Sequence, residues 1–324
     1  MPLTLVEMNA GDFARRRAPL ITSYAEAITT TRGLTVAEAE AVAERDVATQ
    51  LPRGVETRGQ LLRKALVDGT EVGWIWVSLP GTTVPGLAWI SDVEVDPPFR
   101  GRGYAGAIIT AVETELIGRN VPGVGLNVFG DNDTARRLYA RLDYRVTARQ
   151  YCRALTHAPA GDRAGVPAGE RVELVPMADY ESRIGAVVAG YAQDLVQEQG
   201  LWHGEAEARA ARKVGELLPR GARTEGMLLR TVTAAGVPVG WVWAGPPAPA
   251  QPGVGWLHAI EIDAPFRSRG YGSAAVAAVE AELARRGARR VGLNVPGPNA
   301  GACRLCERLG YRLLAQQMAK DLPS

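Results

Sequence analysis

Apolar and polar positions fall into short segments whose period changes along the chain, and those changes predict the order of elements. Leu3-Thr4-Leu5-Val6 reads as an opening strand, and a similar opening recurs far downstream at Val172-Glu173-Leu174-Val175. Helical spacing follows around Ala25–Ile28 and from Val36 to Thr49, where Thr35 and Glu38 have the spacing of a capping box. Strand-like runs come next over Gly73–Ser78 and, beyond a Pro/Gly turn, Leu87–Val95. A helix from Tyr104 to about Gly118, a strand over Gly125–Val128, a helix over Thr134–Leu142 and a strand over Tyr144–Tyr151 complete the series. Antiparallel strands early and a β-α-β-α-β ending predict an α+β fold.

The series is written twice. Leu51-Pro52-Arg53-Gly54 recurs as Leu218-Pro219-Arg220-Gly221, Val72-Gly73-Trp74 as Val239-Gly240-Trp241, and Pro98-Phe99-Arg100 as Pro265-Phe266-Arg267, all at an offset of 218 − 51 = 167. The same offset carries Leu126-Asn127-Val128 onto Leu293-Asn294-Val295 and Asn132 onto Asn299. A stretch rich in Pro, Gly and Ala, His157 to Ala168, reads as a linker. The expected organisation is therefore a first domain over 1–156, a linker over 157–168 and a second domain over 169–324.

Composition narrows the function classes. A length of 324 residues suits two domains, and 46% hydrophobic with 22% charged residues describes a packed globular protein. A net charge of +2 lacks the basic excess of a nucleic-acid binder, so no nucleic-acid partner is expected. The N-terminus lacks a signal-peptide pattern and no long apolar run suggests a membrane span. With only Cys152, Cys303 and Cys306 there is no disulfide framework, and a cytoplasmic location is expected. Cys303-x-x-Cys306 has no second ligand pair, so no metal site is expected.

The most informative segment runs from Val93 to Ala105 and recurs from Ile260 to Gly272. A strand feeds a small-residue turn that opens a helix, where backbone can approach a ligand closely and first-turn N–H groups point at it, as phosphate binding requires. Gly101-x-Gly103-x-x-Gly106 matches a dinucleotide fingerprint, but the second copy has Ser268-x-Gly270-x-x-Ser273 and loses it. The next strand ends in Asn127 or Asn294 where an acidic residue would hold a ribose, and no Gly-Lys-[Ser/Thr] follows. Both copies keep Arg-x-x-Gly-x-[Gly/Ala].

That motif after Val-Asp-Pro, then Leu-Asn-Val, then Asn-x-x-Ala-x-x-Leu-Tyr-x-x-Leu, resembles the GNAT superfamily of N-acetyltransferases, over almost the whole of both copies. The resemblance implies two tandem GNAT folds, each a mixed, mostly antiparallel central sheet flanked by helices. It implies acetyl-CoA as cofactor, its pyrophosphate held by Arg100, Gly101, Arg102, Gly103, Tyr104 and Ala105, and by Arg267, Ser268, Arg269, Gly270, Tyr271 and Gly272. Asn127, Asn132, Asn294 and Asn299 would meet the pantetheine or the adjoining loop. The cofactor would lie in a gap between the two central strands, bordered by Val93 and Val95 in the first copy and by Ile260 and Ile262 in the second.

The implied reaction is direct attack of an amine on the thioester carbonyl. An amine of pKa ~10.4 pays about 4–5 kcal/mol to expose its lone pair at pH 7, so a base or water relay is needed. A positioned acid for the departing thiolate contributes roughly 10²–10⁴-fold. Tyr139 holds the family's acid position, whereas the second copy has Cys306 there, so catalysis is expected in the first copy. Asp92 and Glu94 share one strand face and are candidate bases, with solvated or turn-capping charge as the other reading for Glu94 and its counterpart Glu261. Asp92 corresponds to Ala259, and His258 is a base or a packed strand residue.

Trp74 with Trp76, and Trp241 with Trp243, each share a face that is core or an acceptor pocket. Tyr24 and Tyr191 border the acceptor site or pack helices, and Arg15-Arg16-Arg17 reads as a solvated face. The acceptor is expected to be a small-molecule or peptide amine, and the chain a monomer with an intrachain pseudo-dimer or a homodimer. An acyl-CoA-binding regulator without transfer is the reading from another class.

Overall fold

The computed structural model describes residues 3–32, 35–84, 86–155, 171–199, 203–247 and 253–323. Its first unit comprises Met1–Thr147 with Ala315–Ser324, and its second Ala148–Leu314. These units differ from the contiguous copies 1–156 and 169–324, because the last strand of each copy pairs in the unit built mainly from the other copy. The expected linker, 157–168, lies outside the described residues.

Unit 1 begins with β1 (Leu3–Glu7), α1 (Ala10–Arg32) and α2 (Val36–Gln50). Thr35 and Glu38 do form the capping box, so α2 starts where its sequence places it. Then come β2 (Gln60–Val67), β3 (Thr70–Ser78), β4 (Ala88–Val95), α3 (Tyr104–Ile117), β5 (Gly123–Phe129) and α4 (Asp133–Arg141). The chain passes through β6 (Arg145–Ala154) into unit 2, where β7 (Val172–Pro176), α5 (Tyr180–Gln199), α6 (His203–Leu217), β8 (Leu228–Ala234), β9 (Val237–Gly245), β10 (Val254–Ile262), α7 (Tyr271–Arg285), β11 (Arg290–Pro296) and α8 (Ala300–Arg308) repeat the order. β12 (Arg312–Asp321) returns the chain to unit 1.

The sheet of unit 1 has the order β1-β2-β3-β4-β5-β12, antiparallel throughout except for the β4–β5 pair. Unit 2 has the equivalent order β7-β8-β9-β10-β11-β6, with β10–β11 parallel. Each sheet is packed on both faces. On one face of unit 1, Ile75, Val77, Ile90 and Leu126 meet Ile108, Ile109, Val112 and Leu116 of α3. On the other, Trp74, Trp76 and Leu62 meet Phe13, Leu20 and Val47 of the α1–α2 hairpin. Both tryptophan pairs are therefore core, buried to 3% exposure or less. No helix among the described residues is long and apolar enough to cross a membrane, and none of the described His, Cys, Asp and Glu residues group into a metal site.

Candidate active site

In each unit the site begins where two parallel strands part. β4 and β5 pair at Ala88↔Val124, Trp89↔Gly125 and Ile90↔Leu126, and the pairing goes no further. A bulge at the same level, where Trp76 faces Asp92 and Val77 faces Ile90, leaves Ser91 as the extra residue and turns the end of β4. From Ser91 to Val95, β4 is therefore held by β3 on one side while its other edge faces the opening. In unit 2, β10 and β11 part after Leu257↔Leu293, and His258 is the extra residue. An unpaired strand edge is a ready partner for an extended, amide-bearing ligand.

Beyond the gap lies the turn. Gly101 and Gly103 take φ values of 75° and 83°, in the left-handed region that L side chains seldom enter. A Cβ built on either would meet nothing within 4 Å, so the space in front of the turn is open. The first bond into α3 runs from Ala107 N–H to Gly103 O, which leaves the preceding first-turn amides directed out of the helix. In unit 2, Ser268 and Gly270 take 61° and 85°, so a serine stands in the strained position that Gly101 occupies in unit 1. Open amides at a positive helix terminus, beside an unpaired strand edge, fit a diphosphate followed by an extended amide chain. The residues present therefore fit coenzyme A.

Several of the expected ligand-binding residues also make contacts within the protein. The Arg100 guanidinium folds back, Nε donating to Val95 O at 2.9 Å, and Arg267 does the same to Ile262 O at 2.8 Å. Both pin the turn to its strand through Nε. Arg102 lies over the Phe99 ring, and the Tyr104 and Tyr271 rings pack edge-on against Phe99 and Phe266. Asn132 Oδ1 accepts from Ala135 N and Asn299 Oδ1 from Ala302 N, both at 2.9 Å, so these asparagines cap α4 and α8. Asn127 and Asn294 are exposed on their strands, and Val93, Val95, Ile260 and Ile262 turn their side chains against the cores.

Asp92 and Glu94 lie on the stretch of β4 that borders the opening of unit 1, and Tyr139 is buried on α4. Burial, and next the charge of Glu94, push the half-buried Asp92 carboxyl up to about 7. Tyr139 is 5% exposed, and its phenol is pushed well above its usual pKa by burial and then by the Asp92 charge. Glu94 accepts from Trp74 Nε1 and from Arg100 Nη2, each at 3.4 Å, so it is tied into the wall. In unit 2, Ala259 and Cys306 stand at the places of Asp92 and Tyr139, and burial pushes the Cys306 thiol up to about 12. His258 stacks on Trp243 at 4.6 Å, bonds to Pro246 O at 3.1 Å and is lowered by burial to about 4. It is a neutral, packed residue.

One pair was missed in the sequence. Arg16, in the supposed solvated face, is only 17% exposed in its side chain and joins both Asp96 and Glu71. Arg183 makes the equivalent bond to Asp263 at 2.8 Å. The pair fastens the residue before the turn to the first helix, and the offset 183 − 16 = 263 − 96 = 167 was a signal of it. Tyr24 bonds Asp46 Oδ2 at 3.1 Å and lies 6.5 Å from the Phe129 ring, packing α1 on α2 near the end of β5.

In each unit, then, a parallel pair parts beside a small-residue turn at a helix start. Residues 32–144 and 193–311 each match the model of the Acetyltransferase (GNAT) family, and the chain belongs to that family. It is similar to the uncharacterized N-acetyltransferase YycN of Bacillus subtilis, 33% identical over 98 residues, which are 30% of this chain and 63% of YycN. An acetyltransferase of Yersinia enterocolitica is 46% identical over 85 residues, 26% of this chain and 57% of that protein. The chain thus spans 57% and 63% of these two curated relatives. Across 99% of its length it also resembles the crystal structure of a GCN5-related N-acetyltransferase from Sphaerobacter thermophilus, with 96% of that chain covered, 20% identity and a TM-score of 0.54, a likeness in fold.

Proposed function

We propose that this chain is an acetyl-CoA-dependent N-acetyltransferase that moves an acetyl or other short acyl group to a primary amine of a small molecule or peptide, and that unit 1 performs the transfer. The observation that carries the proposal is the parting of β4 and β5 beside the turn that opens α3, with Asp92 on the freed stretch of β4 and its charge felt by the buried Tyr139. Acetyl-CoA supplies the acyl thioester. The first-turn amides of α3 hold its diphosphate, and the free edge of β4 aligns the chain that leads to the thioester.

Asp92 accepts the proton of the incoming ammonium. With a pKa of about 7 it is half ionised at neutral pH and more basic than an ordinary carboxylate. The uncharged amine then attacks the thioester carbonyl. Tyr139, kept protonated by burial, donates to the departing sulfur. The negative charges of Asp92 and Glu94 favour a cationic acceptor over an anionic one. Unit 2 keeps the turn and the parted strands but has Ala259 and Cys306, which supports a binding or structural role for it. Release of free thiol from acetyl-CoA, followed across a panel of amines, tests the proposal: it expects release that requires an amine, whereas coenzyme A binding without amine-dependent release would leave an acyl-CoA-binding regulator.

A further inference from the structure

Each unit buries a glutamate on its α3-type helix and a tyrosine at the entry to the strand that follows the next helix, and pairs the glutamate with a half-buried cation from the last strand of its sheet. In unit 1 these are Glu113 and Tyr144, 5% and 4% exposed, with Lys320 Nζ donating to Glu113 Oε2 at 2.7 Å. In unit 2 they are Glu280, Tyr311 and Arg153: Tyr311 Oη donates to Glu280 Oε1 at 2.9 Å, and Arg153 Nη1 to both carboxylate oxygens at 3.2 Å. All three pairs keep the repeat offset, 280 − 113 = 311 − 144 = 320 − 153 = 167. The cation, however, is carried by the last strand of the other copy, since Lys320 lies in β12 and Arg153 in β6.

The unit 1 cluster leads to the proposed acid. The Tyr144 ring packs edge-on against Tyr139 with centroids 5.3 Å apart, Lys320 Nζ lies 5.7 Å from the Tyr144 centroid, and Tyr144 N–H donates to Tyr139 O at 3.0 Å. Glu113 Oε1 and Tyr144 Oη are both buried without a hydrogen-bond partner among the described residues. Their counterparts in unit 2 are bonded to each other.

We infer that Lys320, Glu113 and Tyr144 are positioning residues for Tyr139, so that the final strand of the second copy completes the active site of the first. This rests on the assignment of transfer to unit 1. It gives the second copy a use that needs no chemistry of its own: it delivers Lys320.

The test uses the full chain with tyrosine labelled at Cζ with ¹³C, the Tyr139 resonance being assigned by its loss in Tyr139→Phe. Lys320→Met is expected to shift the Tyr139 resonance and to lower kcat about tenfold, less than the roughly 10²-fold or more for loss of the acid itself, with KM for acetyl-CoA held within about twofold. Lys320→Arg, which copies unit 2, restores both. Arg153→Met, the equivalent change in unit 2, leaves both as in the unaltered chain. An unmoved Tyr139 resonance in a folded Lys320→Met chain overturns the inference, as does an equal shift from Arg153→Met. Should Lys320→Met fail to fold, Glu113→Gln provides the same readout: a shifted resonance supports the brace and an unmoved one overturns it. A shifted resonance in a chain that transfers to no amine would leave the brace standing and remove only the enzymatic reading.

Discussion

Arg16 and Asp96, eighty residues apart, are joined by two hydrogen bonds, one of them 2.8 Å long, that tie the first helix to the residue preceding the glycine turn. Glu71 receives the same guanidinium at 2.7 Å. Their side chains are mostly covered, so the pair is screened less than a surface ion pair but is not dry.

Arg16→Met is therefore expected to cost about 1–2 kcal/mol, between the values for exposed and buried pairs. Urea unfolding measures the loss, and KM for acetyl-CoA is expected to rise severalfold because the turn loses an anchor. An unchanged urea midpoint would show that the pair is incidental.

The pH dependence follows from Asp92. As a base it must be ionised, so kcat/KM is expected to fall tenfold per pH unit below about 7 and to level off above it. Asp92→Asn should remove that limb along with most of the activity. The stability sign is opposite to that of a salt-bridged carboxylate. Because the folded pKa is raised, the native state binds more protons than the unfolded chain between about 4 and 7, and stability is lost as the pH rises through that window. Denaturant titrations at pH 4 and pH 8 should show Asp92→Asn gaining on the unaltered chain at the higher pH. A pH-independent difference would mean that the carboxyl is not desolvated.

Tyr139→Phe is expected to lower kcat roughly 10²-fold or more, the low end for a positioned acid. Cys306→Ala should leave turnover within about twofold. Steady-state kinetics that show the reverse would move transfer to unit 2.

Gly103→Ala combines backbone strain of about 1–2 kcal/mol with a methyl in the space in front of the turn. Gly69 has a similar φ of 77° and equally open surroundings, away from the site, and serves as the control. Both variants should unfold at similarly lowered denaturant concentrations, but only Gly103→Ala should weaken coenzyme A. Equal affinities in the two would separate the turn from binding.

Much of this framework was legible before any coordinates. The repeat offset holds element by element, and the helix predicted from Val36 to Thr49 runs from Val36 to Gln50 because its capping box fixes the start. β2 escaped because Arg63 and Lys64 interrupt its apolar pattern, and both are neutralised by distant carboxylates, Glu115 and Asp12. The first helix reads as a fragment because Pro19 sits inside it. The exchanged last strands were not legible at all. Two copies with the same pattern satisfy the same ladder, and sequence periodicity cannot say which copy supplies the strand. Likewise the spacing identified Arg100 and Asn132, but only folding reveals that one bonds its own strand and the other caps a helix.

Calorimetric titration of the full chain with coenzyme A, set against titration with pantetheine, which lacks the diphosphate, examines the turn most directly. Saturable binding of coenzyme A, and binding of pantetheine weaker by tenfold or more, is the expected outcome, since several charge-assisted bonds to backbone amides are lost together. Equal affinities for the two, or no heat from either, would contradict it.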